Sequence, residues 1–131
     1  MSNRKVIFPD RPHALYREHG YSPAIQSGNL LFVSGMVGAR EDGVPEPDLN
    51  AQVQLAFDNL RGVLKAAGCG FDDVIDVTLF LIDPEASVGL MLEAMARSFG
   101  RESPPNVTAV GVNWLAGFQV EIKVIARIPQ E

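Results

Sequence analysis

Residues Asp73 to Ile82 read as a strand that is apolar on both faces: Val77, Leu79 and Leu81 alternate with Thr78, Phe80 and Ile82. A half-exposed strand alternates apolar with polar, whereas one apolar on both sides is expected to be central and covered twice. Any fold for this chain must therefore put the segment inside a sheet and cover both of its faces. Two amphipathic helices supply the first cover. One starts at Asp48, whose carboxylate suits a helix N-cap, and runs to about Ala67 with Val53, Phe57, Leu60 and Leu64 as its apolar stripe. Gly68 and Gly70 stop it. The other opens at Asp83-Pro84, with Asp as N-cap and Pro at the first helical position. Its expected buried stripe is Val88, Leu92, Met95 and Phe99, and Gly100 ends it.

The remaining strands are expected at Tyr21 to Gln26, Leu30 to Ser34, Asn106 to Val112 and Phe118 to Ile128. Ser27-Gly28-Asn29 reads as a hairpin turn, Arg40 to Asp48 as a surface loop, and Trp114 to Gly117 as a turn. The order is β-β-α-β-α-β-β, an α+β chain with a mixed sheet and both helices on one face. Residues 1 to 131 form one domain, large enough for a core without disulfides. Residues 1 to 20 read as irregular, with a possible short strand from Lys5 to Phe8. The second sheet face is left bare, and other copies of the same chain are its simplest cover.

The formal net charge is −5, and lysine and arginine are scattered. Nucleic-acid binders usually carry a basic stripe, because phosphate neutralisation supplies much of their affinity, so no nucleic-acid partner is expected. No apolar run is long enough to span a membrane, and Val6-Ile7-Phe8 is too short for a signal sequence. Cys69 has no second cysteine to pair with. A reducing cytoplasm is the expected setting, and no cation adjoins Cys69 to make its thiol reactive. His13 and His19 read as solvated loop histidines at no standard metal spacing, and no metal site is expected.

Phosphate loops, dinucleotide fingerprints and nucleophile elbows are all missing from the sequence. One residue breaks an apolar pattern: Glu121, inside Val120-Glu121-Ile122-Lys123-Val124-Ile125-Ala126. A carboxylate on such a strand costs free energy unless it is paired or wet. Lys123 lies two residues on, about 7 Å away on the same strand face, so an ion pair is the plainest reading of both.

Several segments, in order and spacing, resemble the Rid family, also called YjgF or L-PSP endoribonuclease. They are Tyr21 to Gly35 (YSPAIQSGNLLFVSG), Gln54 to Gly68 with Asn59-Leu60 and Ala66-Ala67-Gly68, Asp73-Val74 with Val77 to Leu81, Phe99-Gly100, and Val120-Glu121-Ile122 with Ala126. The resemblance implies a chorismate-mutase-like (bacillus type) fold assembled as a homotrimer, with a small-molecule pocket between subunits. It also implies hydrolysis of reactive imines or enamines without a cofactor. Glu121 matches the family's carboxylate that orients and activates water. Tyr21 and the backbone around Ser34 and Gly35 match its pocket lining.

The chain departs from the family where its deaminases hold the substrate carboxylate with an arginine. Asn106 falls there, and a neutral amide gives no bidentate cationic clamp. Val107 and Thr108 also differ, Trp114 stands where a Leu-Pro is common, and Lys123 stands where a second acid is frequent. Three readings follow. The first is a hydrolase with altered substrate, in which Asn106 and Thr108 bind a neutral polar group or Lys123 supplies the missing charge. The second is a non-catalytic metabolite-binding trimer, in which Lys123 pairs with Glu121 and weakens it as a base. The third and weakest is an endoribonuclease.

Overall fold

The computed structural model describes residues 3–100 and 102–130. Residues 1 and 2 of the segment expected to be irregular lie outside the described residues. The elements are β1 (Arg4–Ile7), α1 (Leu15–His19), β2 (Ala24–Ser27), β3 (Leu30–Val33), α2 (Leu49–Ala66), β4 (Val74–Leu81), α3 (Pro84–Phe99), β5 (Asn106–Gly111) and β6 (Val120–Arg127). The strands form one mixed sheet in the order β1-β2-β3-β6-β4-β5, in which only the β4–β5 pair is parallel.

The helix starts follow the expected chemistry. The Asp48 carboxylate accepts from the Ala51 amide at 2.9 Å, and Asp83 accepts from Ala86 at 3.4 Å with Pro84 beside it. The β2–β3 turn is closed by Gly28 and Asn29, with Gly28 at φ 61°, where a side chain would be strained. Leu31, Val33, Val77, Leu79, Leu81, Val120, Ile122, Val124 and Ala126 line the helix side of the sheet and are buried. Val53, Phe57, Leu60 and Leu64 of α2 pack against them as the sequence pattern requires.

Four expectations need correction. Residues 15–19 are not irregular but form the short helix α1, ended by Gly20 at φ 71°. In the α3 stripe Met95 is buried and Val88 and Phe99 pack against the core as expected, but Leu92 is exposed, and Ser87, Met91 and Ala94 are buried in its place. Ser87 and Ala94 are small, so a search for large apolar residues passes over them. His13 is not solvated; it is only 7% exposed and stacks on Tyr16 with ring centroids 4.1 Å apart. Finally, β4 is interior as expected, between β6 and β5, but within one chain only its helix side is covered.

The other face stays open. Val6, Ile25, Phe32 and Ile125 sit opposite one another across β1, β2, β3 and β6, and Phe32 is 40% exposed. β5 is exposed along its whole length.

The two candidate stripes of the helices separate cleanly by mutation. Leu60→Ala is expected to lower stability by about 2–5 kcal/mol in urea unfolding. Leu92→Ala is expected to stay within about 0.5 kcal/mol, because that side chain already faces water.

Candidate functional site

The alternation of β6 decides where its acid goes. Val120, Ile122, Val124 and Ala126 turn toward the helices, so Glu121, Lys123 and Ile125 turn to the open face. Glu121 is half-buried there, opposite Phe80 of β4. On its other side the β3–β6 pairing is interrupted. Phe32 opposes Ile125, but the next pair is Met36 with Ile122. Three residues, Val33 to Gly35, thus face two, Lys123 and Val124, which is a β-bulge.

The bulge brings Gly35 against Glu121. A Cβ built at Gly35 would overlap the Glu121 carboxylate. The Gly35 backbone is not in the left-handed region, so what glycine provides here is room for the Glu121 carboxylate rather than backbone freedom. Two bonds lock the register beside it: Met36 N–H to the Ile122 carbonyl at 2.7 Å, and Ile122 N–H to the Met36 carbonyl at 3.0 Å.

Polar side chains of α2 hold the segment that follows. The Asn59 amide donates to the Val37 and Ala39 carbonyls at 3.0 and 3.1 Å. Gln52, 3% exposed, donates to the Glu46 carbonyl and accepts from the Gln119 amide at 2.7 Å. Ser34 donates its hydroxyl to the Ser22 carbonyl at 2.7 Å, which ties the bulge to the chain just after Tyr21. Tyr21 packs edge-on against Tyr16 with centroids 5.1 Å apart, and Tyr16 in turn rests on His13.

These elements surround a hollow of about 750 Å³ that includes Glu121, Tyr21, Gly35, His19, Phe80 and Trp114. That volume is in the range of small-molecule sites. Burial raises the Glu121 pKa above the ordinary carboxylate value, and the nearby positive charge of Lys123 opposes this without reversing it. Burial also raises the Tyr21 pKa, reinforced by the Glu121 charge. The phenol therefore keeps its proton and remains a donor.

Of the residues singled out in the sequence, Glu121, Tyr21, Gly35 and Trp114 meet at this hollow. Ser34 stands behind it, with its hydroxyl bonded to Ser22. Lys123 does not pair with Glu121: among the described residues the ion pairs within 4.0 Å are Arg40–Glu46 and Arg61–Asp58. Its ammonium instead donates to the Val33 carbonyl at 3.0 Å, an acceptor next to the bulge. Asn106, Val107 and Thr108 lie on β5, outside the hollow of a single chain. Asn106 is on the Asp76 row, whereas Val110 is on the row of Phe80 and Glu121. That four-residue offset amounts to about 13 Å along the strand.

Sequence reasoning missed His19 and Phe80 as lining residues. Phe80 was legible as one face of β4, but only pairing reveals Glu121 as its neighbour. His19 is exposed, as expected for a solvated histidine, yet α1 carries it to the rim. Among the described residues, no group of three or more His, Cys, Asp or Glu side chains could hold a metal ion, and no helix is long and apolar enough to cross a membrane.

Residues 11–128 match the family described as Endoribonuclease L-PSP. The chain is 59% identical over 131 residues to the RutC family protein YjgH of Escherichia coli, covering all of both chains. It is 33% identical over 83 residues to a 2-iminobutanoate/2-iminopropanoate deaminase of Dermatophagoides farinae, covering 62% of this chain and 63% of the relative. A solved structure of a protein YjgH superposes with TM-score 0.94 at 58% identity, over 99% of this chain and all of that one. The architecture is the chorismate-mutase-like fold expected above.

Two tests address the carboxylate seat. Gly35→Ala is expected to cost about 1–3 kcal/mol by overpacking, and less in a Glu121→Ala background, which a double-mutant cycle in urea measures. The raised Glu121 pKa also has a sign. The unfolded chain loses this proton first, so stability falls as pH rises from the ordinary carboxylate pKa to the raised one. Above that window the penalty is complete, and below it there is none. Glu121→Gln should therefore melt higher than the parent at about pH 8 and no higher at about pH 3.

Proposed function

The chain belongs to the Endoribonuclease L-PSP family, the Rid or YjgF family, and from that membership we propose that it hydrolyses a reactive imine or enamine to a carbonyl compound and ammonia. The observation that carries this reading is the Glu121 carboxylate seated over Gly35 in the hollow, with its pKa raised by burial. A stronger base at a partly dried position suits proton abstraction from water. Water attacks the C=N carbon, a C–O bond forms, and the water's proton passes to Glu121. The C=N π pair moves to nitrogen, and Glu121 returns the proton there to give the neutral carbinolamine; Glu121 then takes the hydroxyl proton and passes it to nitrogen as the C–N bond breaks, so that the C=O forms and ammonia leaves (an enamine first tautomerises to its imine). Tyr21, which remains protonated, is placed to donate a hydrogen bond to the oxygen or nitrogen as charge develops. No cofactor takes part in this sequence.

The proposed unit is a homotrimer with the site shared between neighbours. The bare sheet face supports this, and so does the position of Asn106, Val107 and Thr108 on an exposed edge strand. From there they would reach the hollow of an adjoining subunit. The reading as a non-catalytic binder depended on a Lys123–Glu121 pair, and the bond from Lys123 to Val33 removes that motive. The endoribonuclease reading draws only on the family's older name and is opposed by the net charge of −5.

Ammonia release from imines formed in situ by an amino-acid oxidase provides the test. Glu121→Gln is expected to lower kcat by about 10²–10⁴. Asn106→Arg is expected to raise kcat/KM for 2-iminobutanoate by about tenfold to hundredfold, through a restored charge-assisted bond to its carboxylate. A parent rate equal to that in water for every imine tried would end the hydrolytic reading. RNA cleavage lost in Glu121→Ala would replace it with the nuclease, and sedimentation as a monomer would remove the shared site.

A further inference from the structure

The hollow around Glu121 is chemically two-ended. Its polar groups lie at the β6 and α1 side. Away from Glu121 the register runs to Phe80 of β4 and then to Val110 of β5, all on one row of the open face. Adjacent strands are about 4.8 Å apart, so Phe80 sets an apolar floor about 5 Å from the carboxylate strand; Val110 is on the same row but outside the hollow, and Val112, just past β5, continues the lining. The chain leaving β5 then folds over this end. It brings Trp114 and Leu115 to the hollow, and Phe118 packs beneath with Val37 and Ala39. Ala116 at φ 54° makes the reversal that returns the chain to β6.

Trp114 is 73% exposed. A large indole left in water at the rim of an apolar hollow stands to gain from anything that covers it. At the same time, among the described residues no arginine or lysine lines the hollow in a single chain. The site is thus poor in anion-binding groups and rich in flat apolar ones.

We propose that the substrate of this site is an imine or enamine carrying a bulky apolar substituent, above all an aromatic ring, laid over Phe80 and under Trp114. The ring-bearing end determines specificity, and Glu121 acts at the C=N end. This inference rests on the hydrolytic reading for its reaction but not for its binding preference. A short aliphatic imine leaves the Phe80–Trp114 end filled only with water, whereas an aromatic one displaces that water and stacks on the indole.

Phenylpyruvate and 2-oxobutanoate share a keto acid head and differ in the substituent, so calorimetry with the two probes isolates the apolar end. Phenylpyruvate is expected to bind at least about tenfold tighter. Trp114→Ala should reduce that preference by about two- to tenfold, with Trp114→Phe keeping most of it. Equal or tighter binding of 2-oxobutanoate, no binding of either probe, or a preference untouched by Trp114→Ala overturns the inference. So does a Trp114→Ala chain with altered sedimentation, which would assign the indole to a subunit contact. Ammonia release from the imines of phenylalanine and 2-aminobutanoate separates the two claims. Preferential binding of phenylpyruvate with no turnover of either imine leaves the aromatic preference standing and removes only the hydrolysis.

Discussion

The contact between the Glu121 carboxylate and the bare Cα of Gly35 is what the rest of the site is arranged around. It requires two strand segments to approach more closely than side chains on both would permit. The bulge after β3 supplies that approach, since one extra residue turns the backbone at Gly35 toward β6. Paired amides and carbonyls of Met36 and Ile122 then hold the register. Were the register to slip by one residue, Glu121 would point into the helix-covered core.

A carboxylate kept half-buried works against stability, and the surrounding network shows how the position is retained. Gln52 and Asn59 reach from α2 to backbone groups on either side of the hollow, so the helix that completes the core also fixes the walls of the site. Ser34 joins the bulge to the segment carrying Tyr21. Lys123 is bound to the Val33 carbonyl, so its charge moderates the acid without neutralising it by direct contact. Burial therefore outweighs Lys123 and leaves the carboxylate's pKa raised.

Much of this was readable from residue types. The caps at Asp48 and Asp83, the α2 stripe and the turn at Gly28 follow from local rules, and the structure obeys them. Glu121 could be singled out because an acid breaks an apolar run, and its match to a family motif made it the expected water-orienting residue. The misses share a cause. His13 looked solvated because its neighbours are polar or Pro, yet stacking on Tyr16 buries it. In the α3 stripe only Leu92 was misplaced, and Ser87 and Ala94 were passed over because small side chains do not look like core. The Lys123–Glu121 pair seemed natural from a shared strand face. A backbone carbonyl beside the bulge competes for the same ammonium, and no pattern in sequence reveals that acceptor.

By itself the sequence determined the two long helices and the main strands in their order, the acid that interrupts the β6 pattern, and an amide rather than a cation at Asn106, because each depends on short-range periodicity or on residue identity alone; α1 escaped it. Tertiary structure alone decided that Gly35 seats the carboxylate, that Phe80 is its neighbour, and that His19 and Trp114 share its hollow. Those facts depend on strand register and on a single inserted residue. Both are set by long-range pairing of backbone groups, which every residue carries alike and which therefore leave little trace in the order of side chains.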